Sequence, residues 1–162
     1  MRDYIMAVEK TRNTENFYQT VGFHFSVEFL REAQSLDIGF QSVSGLDSTI
    51  DTETVKEGGE NRFEHVIPVR RKYGPLILKR GVLTPSESGI TKWLKKVFDD
   101  QIVSPIPTVH IKLLNEEHQP LMQWTINNVW PRSWKIGELN AERGEVLIET
   151  LELNYNYLKL DE

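Results

Sequence analysis

Apolar and polar residues alternate along most of this chain, the mark of β-strands that bury one face. Phe23, Phe25, Val27 and Phe29 alternate with His24, Ser26 and Glu28, predicting a first strand. A turn-like segment at 31–35 leads to a strand at 38–44, then Gly45, then a run at 46–55. In that run Leu46, Ser48, Ile50, Thr52 and Thr54 share one face, while Asp47, Thr49, Asp51 and Glu53 make the other face acidic. Lys56, Glu57, Gly58, Gly59, Glu60, Asn61 and Arg62 read as a loop, because paired glycines among polar neighbours do not sustain a ladder. Phe63, His65, Ile67 and Val69 resume the alternation with Pro68 on the opposite parity. Proline donates no ladder bond, so this is an edge strand or a strand end. Residues 70–75 are expected to turn the chain into 76–83, a hairpin with Arg70, Arg71 and Lys72 at its turn and Lys79 and Arg80 on its far arm.

The period changes once. Ile90, Trp93, Leu94, Val97 and Phe98 fall at the spacing that lines one side of an α-helix, with Lys92, Lys95, Lys96 and Asp99 outside. Ser86 or Ser88 can cap its start. Pro105 and Pro107 close the next loop, and 108–114 with 121–126 form a second hairpin around 115–120. Residues 127–134, with Trp130, Pro131 and Trp134, read as an aromatic-rich bend, while Trp93 and Trp124 belong to the core. The closing stretch 145–158 reads as one strand about 45 Å long, as long as a globule of this size is wide, at roughly 40 Å. A strand of that length curls around a barrel or projects onto a neighbour. The alternative is two strands separated by a bulge where the apolar set passes from Val146 and Ile148 to Leu151, Leu153, Tyr155 and Tyr157.

The 162 residues suffice for one domain with its own core, residues 21–162, preceded by a polar amino-terminal arm at 1–20. With no cysteine there is no disulfide and no thiolate metal site. No stretch reaches the length of a transmembrane helix and 1–20 holds no signal-like apolar run, so the expectation is synthesis in the cytoplasm without a membrane anchor. A net charge of −5 argues against a general nucleic-acid binder.

Reaction chemistry is absent from the pattern. His24, His65, His110 and His118 are scattered without ligand spacing, so neither a metal nor a cofactor is expected. Ser44-Gly45 lacks the flanks of a nucleophile elbow, and Gly58-Gly59 lacks the lysine and hydroxyl of a phosphate loop. Glu149 and Glu152 lie on opposite faces of a strand and do not form a general acid and base pair. No catalytic residue is assigned and the chain does not read as an enzyme. The basic residues at 70–72 and 79–80 are a solvated surface or salt-bridge partners.

Several strings together resemble the inner-tube proteins of contractile injection systems and phage tail-like particles, which share a fold with phage tail tube and type VI secretion Hcp proteins. They are Gly22-Phe23-His24-Phe25, Phe40-Gln41-Ser42-Val43-Ser44-Gly45-Leu46, Glu57-Gly58-Gly59, Arg71-Lys72-Tyr73-Gly74, Leu78-Lys79-Arg80-Gly81, the span 124–134, Leu139-Asn140-Ala141 and 145–153. The resemblance implies a mainly β fold, an Hcp-like or tail-tube-like β-barrel of two packed antiparallel sheets with one flanking helix. Its copies would close hexameric rings and stack into a tube inside a sheath. The implied partners are further copies, sheath, baseplate and spike proteins, and a cargo protein in the lumen. The implied setting is a particle that is released or acts outside the cell. The loop Lys56 to Arg62 would then reach a neighbouring ring, and the closing strand would support contacts around the ring. Charge placement adds an expectation: Asp47, Asp51 and Glu53 meet Arg70, Arg71, Lys72 and Lys79 across a subunit boundary, the alternative being pairing inside one subunit. Other readings are an initiator ring joining tube to baseplate, a contractile phage tail tube, and a monomeric barrel enclosing a small ligand.

Overall fold

A computed structural model describes residues 24–31, 34–55, 64–142 and 144–161. The expected arm at 1–20 and the loop from Lys56 to Arg62 lie outside them. Strands β1 (Phe25–Arg31), β2 (Gln34–Ile38) and β3 (Ser42–Ser44) come first, followed by β4 (Ser48–Val55), β5 (His65–Tyr73) and β6 (Leu76–Gly81). The helix α1 (Gly89–Phe98) precedes β7 (Ile106–Leu114), β8 (Pro120–Ile136), β9 (Ile148–Asn154) and β10 (Tyr157–Asp161). Strands form one path, β2-β1-β7-β8-β9-β6-β3, with β10 added beside β8 and with β4–β5 as a separate ribbon. All pairings are antiparallel.

Among the described residues the fold is mainly β with one helix and two antiparallel sheets, as expected, and β8 joins the two. Its first half pairs with β7 and β10, its second half with β9. At 17 residues β8 would span about 55 Å if straight. Bending comes from Asn128 at φ 57° and from a register shift between Pro131 and Ser133, where one extra residue in the strand turns it. The aromatic-rich bend at 127–134 is therefore a bent strand, not a break between strands.

The long closing strand is present but shifted and jointed. Residues 145–147 are outside it, and the chain from Ile148 to Asp161 runs beside β8, holding from Leu153 onward one register across a break at Tyr155 and Asn156. At the break the Asn156 N–H donates to the Asn127 carbonyl at 3.1 Å. The bulge of the alternative reading, placed where the apolar set passes from Ile148 to Leu151, does not occur, because β9 keeps one inward parity through Glu149, Leu151 and Leu153. A buried glutamate had broken the apolar pattern.

The strand predicted at 38–44 is strand only at Ile38, the end of β2, and at Ser42 to Ser44, which form β3; Gln34 and Ser35, expected in a turn, belong to β2. Residues 70–73 continue β5 and do not turn, and β6 pairs with β3 and β9, so 70–83 is not a hairpin. Pro107 lies inside β7, not in the loop before it. The β7–β8 hairpin stands, its turn closed by bonds between Asn115 and Gln119 of 2.8 and 2.9 Å.

Inward residues of both sheets meet the helix in one core: Val27, Phe29, Leu76, Leu78, Ile111, Ile126, Leu151 and Leu153 with Ile90, Trp93 and Leu94. Each such side chain contributes roughly 1.5–3 kcal/mol on burial. Ser88 caps the helix, accepting from Thr91 N–H at 3.2 Å, and Lys95 and Lys96 sit in its last turn where the dipole favours cations. Gln101 at φ 56° turns the chain away, and Trp93 Nε1 donates to the Ser104 carbonyl at 2.7 Å.

Candidate assembly surface

The exposed β4–β5 ribbon is the outermost part of a longer hairpin. Ser42 to Ser44 face Lys79 to Ile77, and Ser48 to Ile50 face Tyr73 to Arg71, so the register passes from body to ribbon without a slip. Between the two lie Gly45, Leu46 and Asp47 on one side and Gly74 and Pro75 on the other. Beyond this joint no residue of β4 or β5 is buried. The ribbon is an arm.

Its two faces follow from the register. One carries Ile50 with Arg71, Thr52 with Pro68 and Thr54 with Val66; the other carries Thr49 with Lys72, Glu53 with Ile67 and Val55 with His65. A register shift between Ile50 and Thr52 leaves Val69 and Arg70 opposite Asp51. Ile50, Val66 and Val69 are each about 60 % exposed, and Val55 and Ile67 more than 40 %. Apolar groups thus stand in water on both faces, which makes the arm a candidate interaction surface.

Of the predicted charged residues, Lys72 and Asp51 meet inside the chain at 2.6 Å. Among the described residues Asp47, Glu53, Arg70 and Arg71 have no ion-pair partner. Lys79 lies apart, in β6 of the body opposite Ser42 and Thr150. Arg80, read from the sequence as an exposed basic group, is buried.

The arm is attached through tyrosines. Tyr73, its last residue, packs on Tyr155 at 5.5 Å and on Tyr157 at 6.3 Å between ring centroids. The Tyr155 O–H donates to the Gly45 carbonyl at 3.4 Å. Burial, then the charge of Asp47, then Tyr73 push the Tyr155 hydroxyl up to about 12, so it remains a neutral donor. Gly45 has φ 87°, and a Cβ there would stand 2.0 Å from the Pro75 carbonyl oxygen, so only glycine fits this joint.

Sequence reasoning missed the strongest polar cluster. Arg80 and Glu149 face each other across β6 and β9 and pair fully buried, through Nε and Oε1. Arg80 also donates to Ser88 Oγ at 3.1 Å and Thr91 Oγ1 at 2.8 Å, while Trp134 Nε1 donates to Glu149 Oε2 at 2.7 Å. The cluster rivets the start of α1 to the sheet. A signal existed: both charges occupy the inward parity of otherwise apolar strands.

Among the described residues β2 pairs only with β1, β3 only with β6 and β10 only with β8. Tyr157 and Leu160 of β10 are about half exposed. His24 and His118 are in edge contact at 4.5 Å, but no cluster of three or more metal-ligating side chains occurs among the described residues. No helix there is long and apolar enough to cross a membrane. The space between the sheets is filled by side chains, and a cleft of about 300 Å³ lies between 137–140 and 145–148, where Leu139 and Val146 are exposed.

The described residues form a packed two-sheet body that carries an exposed arm bearing both apolar and charged side chains. The sequence model of the T4-like virus tail tube protein gp19 matches residues 21–159, and the chain belongs to that family. It is similar to a chain in the baseplate of the anti-feeding prophage (AFP), at 34 % identity over 88 % of this chain and 95 % of that one, with a TM-score of 0.80. It is similar also to a chain of the PVC extracellular contractile injection system sheath–tube complex, at 23 % identity over 90 % and 93 % with a TM-score of 0.75. The fold extends to an Hcp protein at 8 % identity, over 85 % and 98 % with a TM-score of 0.54. No curated protein matches. The family is one of tail tube proteins, and the AFP and PVC neighbours come from a baseplate and a sheath–tube complex.

Proposed function

We propose that this chain closes hexameric rings in the inner conduit of a contractile injection particle, and that its ring stands at the baseplate end. The position rests on one contrast. Identity is 34 % with the AFP baseplate chain but 22 % with a chain from the tube-terminating cap of the same particle, so these are two different chains and this one is closer to the baseplate one.

Ring formation is supported by the borders β2 and β10, whose outer edges have no ladder partner among the described residues, since an unpaired edge recruits another copy and a rotation that closes gives a ring. The relative's structure was symmetrised six-fold. The arm would carry the loop Lys56 to Arg62 to the next ring, with Ile50, Val66, Val69, Val55 and Ile67 finding cover there. Arg70 and Arg71 of one copy would meet Asp47 and Glu53 of another. Sheath, spike and cargo are the further partners of this reading, in a particle that is released or acts outside the cell.

Electron microscopy and sedimentation of the purified protein test it. Discrete rings are expected. Long tubes from this chain alone would make it the repeated tube subunit instead, and a single species at high concentration would overturn assembly altogether. Arg71→Glu should impair contacts between copies, and unchanged assembly would count against the charge pairing.

A further inference from the structure

Two long ribbons cross the molecule, and both are jointed at one level. The hairpin from Ser42 to Gly81 breaks at Gly45 and Pro75; the strand from Ile148 to Asp161 breaks at Tyr155 and Asn156. Tyr155 bridges the two joints through its hydroxyl bond to Gly45 and its ring contact with Tyr73. On the body side the chain is fixed, because Leu76, next to Pro75, is fully buried. On the arm side nothing is buried, so the direction of the arm depends on Tyr73, Tyr155 and Tyr157.

Tyr157 belongs to β10, whose outer edge has no ladder partner among the described residues. It touches Tyr73 at its edge while remaining 44 % exposed. A neighbour docking along β10 bears directly on the ring that steadies the arm. Contacts of this kind are individually weak, which leaves the arrangement easy to bias.

We infer that the tyrosine cluster is a latch linking the edge strand β10 to the arm, so that closing a ring orients the arm towards the neighbouring ring. This rests on the ring reading above. It makes assembly ordered: rings close first, then their arms engage. The neutral Tyr155 hydroxyl fits this role, since the donor persists across the physiological range.

The absence of cysteine allows clean labelling. Spin labels at Thr54→Cys on the arm and Lys95→Cys on the helix give the arm's distance distribution by pulsed electron resonance, in single chains and in rings separated by size. A narrow distribution in rings and a broad one in single chains is expected, with Tyr155→Ala losing the narrow component and Tyr155→Phe, which keeps the ring contact with Tyr73 but loses the bond to Gly45, broadening it less. Identical distributions in both states, or a narrow one in Tyr155→Ala rings, would overturn the latch. Where Tyr155→Ala fails to fold, Tyr73→Ala is read in the same way. If the labelled chain with its tyrosines intact forms no rings, the ring reading fails separately. The latch is then judged on single chains, where Tyr155→Ala must broaden the distribution further and no change overturns it.

Discussion

Replacing Arg80 by methionine strands the Glu149 carboxylate inside the protein. Its Oε1 loses the guanidinium, and only the Trp134 N–H remains on Oε2. Ser88 Oγ and Thr91 Oγ1 lose the guanidinium in the same step, keeping only their bonds from Thr91 N–H and to the Leu83 carbonyl, and the rivet at the start of α1 is lost. Both charged side chains are at most 1 % exposed, so water cannot take over. Breaking a buried pair from one side costs about 3–5 kcal/mol. That is a large share of the ~5–15 kcal/mol that holds a domain together. Glu149→Leu alone should cost a similar amount, leaving the guanidinium facing two hydroxyls and the Phe40 ring at 5.6 Å. The double variant Arg80→Met with Glu149→Leu removes both charges and should recover most of the loss, ending within about 1 kcal/mol of the starting protein. Urea unfolding of the four proteins, followed by tryptophan fluorescence, measures each corner of the cycle. Single variants costing under 1 kcal/mol, or a double variant whose loss is the sum of the two, would refute the account of the cluster as a mutually dependent buried pair.

Gly45→Ala should destabilise by about 2 kcal/mol or more, since its Cβ strikes the Pro75 carbonyl at a left-handed backbone position; an unchanged melting temperature would contradict this. Ile50→Ser and Ile67→Ser, on opposite faces of the arm, should leave the unfolding midpoint of the single chain within a few tenths of a kcal/mol while weakening assembly, as sedimentation would show. Hydrogen bonds from Thr125 and Gln123 hold the Asp161 carboxyl below its ordinary value of 3.8, so its contribution to β10 is present above that value and fades as pH falls through the folded one. Amides of β10 should lose relative protection in that range, and Asp161→Asn should abolish the pH dependence. The raised Tyr155 hydroxyl works the other way: its contribution is whole below pH 10, the unfolded value, and disappears as pH rises through about 12. Tyr155→Phe should flatten that alkaline decline in stability.

Local pattern was enough for the strand-rich class, the helix with a cap at Ser86 or Ser88 and the β7–β8 hairpin, because each depends on neighbours a few residues apart. The strings that carry the family resemblance were legible for the same reason. Alternation alone also placed Leu151 and Leu153 inward, and it put Glu149 and Glu152 on opposite faces. It went astray at charges. Arg80 read as a surface cation and Glu149 as a change of parity, because periodicity weighs only how apolar a residue is and cannot show that two buried charges neutralise each other.

What the chain alone determined is which residues alternate, where the helix lies and where glycine interrupts. Which strands pair was decided only in three dimensions. Residues 70–83 look like a hairpin in sequence, yet β5 returns along β4 while β6 joins β3 and β9. The stretch at 127–134 looks like a bend, yet β8 runs through it because β9 and β10 hold its edge on both sides of the bulge. Partner choice belongs to the tertiary structure because a ladder bond carries no mark of sequence distance. Its stability depends on which apolar faces the whole fold can bring together, and that is a property no window along the chain contains.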